Sequence, residues 1–393
     1  MYNIKSYLSY LKSSKILFIY YCIFAIMLAI VSVSKPSFNW DMLGYVASAK
    51  HFEIADAQTL HKFVYENLKK FVSKDVYSDL TNGGVREDWA KNANDFYSLL
   101  PFYEIRPLYN LSVLLLSKIG VNIFAATYLV SIFSVILGIF MLLFALKDKI
   151  NWFLLYIFPF YLYLFGIVEI ARLSTPDAMA FLCVCIFIYL FSKERIKLLL
   201  AVIPIFVAVR TDLIIFNFIS IAIITFLYKN YRIRSFVSLL LTIVLYELIN
   251  KLAHNYGYFT IFSFTLIRMV NNPANINSAI SISDYLHVLF RGFYEALIDV
   301  NFKFFVSIIL IGLFPLKVLL TKDFLENKEI MVYVAISIFY IFIHFILFPV
   351  MWCRFFVGFY TMGVVGILLL LSITWSKNKS GQSWYIISQH SRP

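Results

Sequence analysis

The chain has 393 residues, 61% of them hydrophobic and only 14% charged, with a mean hydropathy of +0.81. A soluble domain is about a quarter charged, so this composition excludes one: there is too little polar material to cover a globular surface. The net charge of +12 comes with no basic tail or nucleic-acid motif, so the excess lysine and arginine is assigned to cytoplasmic loops and not to a nucleic-acid partner.

Apolar runs of about 18 residues or more, the length that crosses a ~30 Å hydrocarbon core as helix, recur along the chain. The first covers 16–33. It is too long for the apolar region of a signal peptide and is followed by Lys35-Pro36, so it reads as an uncleaved membrane helix. Lys5, Lys12 and Lys15 keep its start in the cytoplasm. Residues 34–107 then form an exported loop, with ten acidic residues against nine basic ones. Within it Leu43, Val46, Ala47 and Ile54 suit one helical face. Leu60, Val64, Leu68 and Phe71 make a clearer stripe, and both patterns predict short amphipathic helices lying along the membrane surface. Asn82-Gly83-Gly84 marks a turn.

Residues 107–146 hold two helical patterns where the charge rule asks for an odd number of crossings. Either the first only dips into the membrane, or Lys147-Asp148-Lys149 lies outside. Basic clusters at 193–197, 229–234 and 317–328, with Lys377 and Lys379, mark further cytoplasmic turns. Between them fall spans near 152–168 and 175–191, then two short helices meeting at Arg210-Thr211-Asp212. Spans near 236–252 and 302–319 enclose a second exported loop, 254–300, and spans near 330–349 and 355–374 meet at 351–356. The expectation is an all-α polytopic membrane protein of ten to twelve helices, one domain over 1–374 with a cytoplasmic tail, 375–393, that is disordered from about 380.

This threading brings Asp41, Glu169, Arg172, Asp177, Arg210, Asp212 and Arg354 toward the non-cytoplasmic face. Charges at membrane depth are costly and face cavities, so their convergence marks a site. Cys22, Cys183, Cys185 and Cys353 lie in or beside apolar spans and imply no disulfide framework. His51, His61, His254, His287 and His344 show no metal-ligand spacing, and no glycine-rich phosphate loop is present.

Four segments, "FNWDMLGYVASAK" (38–50), "EIRPLYNLSVLLLSKIGVN" (104–122), "ARLSTPDAMAFL" (171–182) and "CRFFVGFYTMGVVGILLLL" (353–371), resemble in order and spacing the GT-C class of membrane glycosyltransferases. The nearest likeness is to protein O-mannosyltransferases and the aminoarabinose transferases that use polyprenyl-phosphate donors. The resemblance implies inverting transfer of a sugar from a polyprenyl-phosphate donor in the membrane lipid to a glycan, lipid or protein acceptor of the cell envelope. It implies a site on the periplasmic or outer face; the residue usage, rich in Ile, Lys, Asn, Phe and Tyr, and the short loops point separately to a bacterial inner membrane. It maps the family's general base onto Asp41 and a second acidic position onto Asp177. The chain departs from the pattern in lacking an Asp-x-Asp or Asp-x-Glu pair, so no cofactor is required and a divalent metal stays open.

Each residue has an ordinary alternative. Asp41 either takes a proton from an acceptor hydroxyl or caps the helix that follows. Arg172, Arg210 and Arg354 either bind the donor phosphate or pair locally with carboxylates, as Arg210 with Asp212. Glu169, Asp177 and Asp212 orient substrate, balance the arginines or, for Asp177 after Pro176, favour a helix start. Trp40 stacks on sugar or packs in the core, and Arg106 binds substrate or marks the interface. Against the transferase stand a flippase for a lipid-linked saccharide, an envelope polysaccharide polymerase or ligase, and a non-catalytic subunit.

Overall fold

The computed structural model describes residues 14–313 and 327–389, with side chains for 15–310 and 327–375. The described residues are helical and contain no strand, only an isolated bridge between Ser37 and Leu173. Helix is the form in which a single segment satisfies its own backbone polar groups in hydrocarbon. Five helices, Lys15–Ser34, Ile123–Leu146, Lys229–Leu252, Lys328–Leu347 and Val357–Trp375, are long and apolar enough to cross a bilayer. The protein is an all-α integral membrane protein. Shorter apolar helices, among them Trp152–Leu164, Asp177–Ser192 and Thr211–Leu227, complete the bundle. The spans expected near 152–168 and 175–191 fall short of full crossing length, as Trp152–Leu164 and Asp177–Ser192, and the two short helices expected to meet at Arg210–Asp212 approach that tip through 3-10 turns at Ile203–Ala208 and Thr211–Leu213.

Two faces of the bundle differ in charge. At one, Lys149 Nζ donates to the Ser192 carbonyl at 2.7 Å and pairs with Glu329. Lys193 Nζ lies 3.9 Å from Asp148 Oδ2, and Lys328 Nζ stands 5.1 Å over the Tyr228 ring. At the other face the two long loops meet: Trp89 Nε1 donates to the Asn271 carbonyl at 2.7 Å, and Tyr256 Oη to the Ser98 carbonyl at 2.9 Å. Length separates the two helices of 107–146. Pro107–Lys118 has 12 residues, about 18 Å of helix at ~1.5 Å per residue, too short to cross. Ile123–Leu146 is long and apolar enough to cross, and Asp148 and Lys149 at its end lie beside Lys193 and Ser192 of another basic cluster. Lys5, Lys12, Lys317 and Lys322 lie outside the described residues.

Three expectations change. The Asp41–His51 helix is not one-sided: every residue from Met42 to Ala49 is buried, and Ile54 falls beyond its end. The Ala57–Phe71 helix, capped by Asp56 accepting from Thr59 N at 2.8 Å, has the expected stripe. That stripe packs on protein and not on the membrane surface. Leu60, Val64 and Leu68 join Val46, Leu100 and Phe124 in one apolar cluster, while Glu66, Lys69 and Lys70 face outward. The final helix, Val357–Gln389, carries the backbone through 380–389 of the segment expected to be disordered, and 390–393 lie outside the described residues.

His51 ties the buried helix to its neighbours: Nδ1 is 2.5 Å from Glu104 Oε1 and Nε2 is 2.8 Å from Tyr97 Oη. The hydrogen bond to Glu104 raises the His51 pKa above its ordinary value of about 6.5. A raised folded-state pKa gives stability that is whole below the ordinary value and is lost as pH climbs through the folded value. The detergent-solubilised protein should therefore lose thermal stability as pH rises above about 6.5, and Glu104→Gln should flatten that part of the profile. Parallel profiles for the two proteins would refute it.

Candidate functional site

Asp41 begins its helix directly after Trp40, and no side-chain cap bond forms there. Its carboxylate instead accepts from three side chains: Asn39 Nδ2 at 3.0 Å, Tyr103 Oη at 3.2 Å and Arg354 Nη1 at 3.0 Å. The helix-cap alternative is thus not the geometry observed. The side chain keeps 30% of its surface exposed, so the carboxylate is fixed in direction and still open to a ligand. Gly44, one turn later, makes room for this arrangement. A Cβ built there would stand 2.5 Å from the Tyr103 ring. Burial, then the Asp41 charge, hold the Tyr103 hydroxyl well above the usual phenol range, so it stays a proton donor.

Asp177 opens the Asp177–Ser192 helix after Pro176, again without a cap bond. Its Oδ2 accepts from Thr175 Oγ1 at 2.6 Å and its Oδ1 from Arg210 Nη1 at 2.7 Å, while Arg354 Nε lies 3.8 Å from Oδ2. Arg210 sits in extended backbone at the tip between two 3-10 turns. It reaches Asp212 with Nε at 3.0 Å and Nη2 at 2.5 Å. Asp212 also accepts from Tyr340 Oη at 3.1 Å and has His344 Nε2 at 3.5 Å. Phe355 lies against both guanidinium groups, 4.6 Å from Arg210 and 5.3 Å from Arg354. The result is one chain of alternating charge, Asp41–Arg354–Asp177–Arg210–Asp212. Each buried ion has an opposite neighbour, which offsets the several kcal/mol that an isolated one would cost.

This chain forms one side of a cavity of about 610 Å³. Four arginines, Arg86, Arg106, Arg210 and Arg354, line it against three carboxylates, Asp41, Asp177 and Asp212, leaving one positive charge in excess with His344 neutral. Another part of the wall is apolar, from Ile214, Ile215, Ile261, Phe264, Leu347 and Phe348. A cavity with a charged end and an apolar wall suits an amphiphile with an anionic group. Trp40 lines it as well, its ring 4.6 Å from that of Trp89 and its Nε1 without a partner.

The other expected residues divide. Arg106 lines the cavity, bonds the Phe102 carbonyl through Nη1 and leaves Nε without a partner. Arg172 is bound through Nε to the Lys35 carbonyl and lies outside the lining, as does the exposed Glu169. Sequence reasoning passed over Arg86, Tyr103, Tyr340 and His344. Arg86 follows the Asn-Gly-Gly turn, where Gly83 and Gly84 have φ of +83° and +55°, and donates to the Asp79 carbonyl at 3.0 Å. His344 did carry a signal, as an ionisable residue inside an apolar span. Tyr103 carried none. Among the described residues no group of three or more His, Cys, Asp or Glu side chains is placed to hold a metal ion.

Compared with protein-family models, curated proteins and solved structures, the chain matches none.

Arg210 and Asp177 are 5% and 3% exposed at their side chains, so removing Arg210 leaves buried Asp177 with only Arg354, 3.8 Å away, as a cationic neighbour. Arg210→Gln should cost roughly 3–5 kcal/mol, and adding Asp177→Asn should restore a substantial part of it. Chemical denaturation in detergent reads both. Equal losses in the single and double variants would show that the pair is not coupled.

Proposed function

We propose that the protein is a membrane glycosyltransferase that moves a sugar from a polyprenyl-phosphate donor to an envelope acceptor on the face carrying the two long loops. The observation that supports this most directly is Asp41. Its carboxylate is held by side chains from three separate segments, remains partly exposed and opens into a cavity with an apolar wall. A general base needs that combination of fixed direction and access.

In this reading the acceptor hydroxyl gives its proton to Asp41 as its oxygen forms a bond to the anomeric carbon. On the opposite side of that carbon the bond to the phosphate oxygen breaks, and the electron pair leaves with the phosphate, which gives inversion. Arg354 and Tyr103 keep the base aimed. Charge that builds on the leaving phosphate is stabilised by cations fixed before the reaction begins. Arg210 is wholly engaged with two carboxylates. Arg106 and Arg86 are the less committed guanidinium groups of the cavity, and the phosphate role passes to them. Trp40 is positioned to pack on a sugar face.

The test offers labelled polyprenyl-phosphate sugars to the reconstituted protein and follows label into lipid, glycan, protein or water. Wild type should transfer, and Asp41→Asn should reduce transfer by about 10²–10⁴-fold, the usual worth of a general base. Arg106→Gln should raise the donor concentration needed while leaving the pH dependence in place. Undiminished transfer by Asp41→Asn would remove Asp41 as the base. Movement of labelled lipid across the bilayer without transfer would favour a flippase.

A further inference from the structure

The second long loop contains a helix, Ile282–Ile298, with three chemically different sides. Val288, Gly292 and Ala296, spaced four apart, are buried against the rest of the protein. Asp284, His287, Arg291 and Glu295 fall on a second side, and Arg291 Nε lies 3.8 Å from Glu295 Oε1. The third side carries Ile282, Leu286, Phe290, Phe293, Tyr294 and Leu297, with Ile282 81%, Phe290 69% and Tyr294 64% exposed. At about 100° per residue these groups occupy separate arcs, so the helix meets three environments at once.

The protein side is specific. A Cβ built on Gly292 would stand 2.3 Å from the Pro349 carbonyl oxygen, Arg291 Nη2 donates to the Leu266 carbonyl at 3.1 Å, and Tyr285 Oη donates to the Ile346 carbonyl at 2.7 Å. Ile346 is next to the last residue of the Lys328–Leu347 span, so the helix lies beside the end of a membrane helix. Its open apolar side also continues in sequence into Val300, 71% exposed, and the apolar helix Val300–Leu310. The open apolar side of this helix therefore adjoins an apolar helix in sequence, with Asp299 at the corner between them. The Ala57–Phe71 helix has a similar stripe but covers it with protein.

We propose that Ile282–Ile298 lies in the plane of the bilayer at the head-group boundary, with Phe290, Phe293 and Leu297 among the acyl chains and Asp284 and His287 in water. The occupant of the apolar side is the membrane itself. A bulky apolar stripe beside a charged arc is the pattern of helices that bind this layer. The buried side rests on Leu266 and Pro349, within the stretches that supply Ile261, Phe264, Leu347 and Phe348 to the cavity. A helix seated in one leaflet thus supports the apolar wall of the site. The inference needs only the membrane reading and stands whether or not the transferase proposal does.

Single cysteines at Phe290, Leu297, Asp284 and His287, introduced into the full chain in vesicles and labelled with an environment-sensitive maleimide, test it. The wild type, whose Cys183, Cys185 and Cys353 are buried and Cys22 half-buried, is the blank. Labels at Phe290→Cys and Leu297→Cys should be quenched several-fold more by acyl-brominated lipid than by aqueous iodide, and labels at Asp284→Cys and His287→Cys the reverse. The replaced side chains are exposed; Asp284 also accepts from Ser281 in the capping box that starts the helix, so His287→Cys carries the aqueous arm independently, and Phe293→Cys repeats the apolar arm. Iodide quenching at Phe290 and Leu297 would put that side in water. Protection from both quenchers would put it under protein. Either result overturns the proposal.

Discussion

Five ionised side chains meet in a line, Asp41–Arg354–Asp177–Arg210–Asp212, and the architecture of the loop face follows from satisfying them. Two lone charges at this depth would each cost several kcal/mol, whereas alternation gives every ion an opposite neighbour. Arginine suits both cationic positions because one planar fork can serve two carboxylates at once. Arg210 does so, with Nη1 on Asp177 and both Nε and Nη2 on Asp212. The line also ties together parts that local propensity would leave independent. It joins the starts of the Asp41–His51 and Asp177–Ser192 helices to the tip at 210–212 and the turn at Cys353–Phe355.

Much of this was legible because charge near the end of an apolar run is conspicuous. Asp41, Asp177, Arg210, Asp212 and Arg354 stood out one by one, and the basic clusters ordered the crossings. Partnership was not legible. Whether Arg354 holds Asp41, and whether Asp41 caps its helix, depends on a contact across 313 residues that no local pattern encodes. Arg172 and Arg86 make the same point in opposite directions. The first sits beside a recognisable motif yet bonds the Lys35 carbonyl, and the second, in a polar turn, reaches the cavity.

The helices divide along similar lines. Ala57–Phe71 and Ile282–Ile298 are both amphipathic, the first expected from its periodicity and the second left within an exported loop, and periodicity reports only that one side is apolar. It does not report what covers that side. In the first helix protein does, and Leu60, Val64 and Leu68 disappear into a core. In the second no described residue does. Asp41–His51 is the converse: Met42 to Ala49 are buried all round, so the one-sided face suggested by Leu43, Val46 and Ala47 does not describe it.

The position of Asp41 at the end of the ionic line bears on how the proposed reaction would divide its charges. Asp177 and Asp212 are both bound by Arg210, whereas Asp41 shares only Arg354 and keeps exposed surface. A donor phosphate seated on Arg354 would bring a second anion to the guanidinium that aims the base. At a separation of ~4 Å and an effective dielectric of ~20, such a pair repels by about 4 kcal/mol. Part of the attraction between Arg354 and the phosphate would then be cancelled by Asp41. Seating the phosphate on Arg106 or Arg86 avoids that conflict and leaves Arg354 to orient the base. Charge in this cavity is thus better divided by distance than concentrated. One arginine holds the ionic line together, one directs the carboxylate, and two others face the space where an anion can bind.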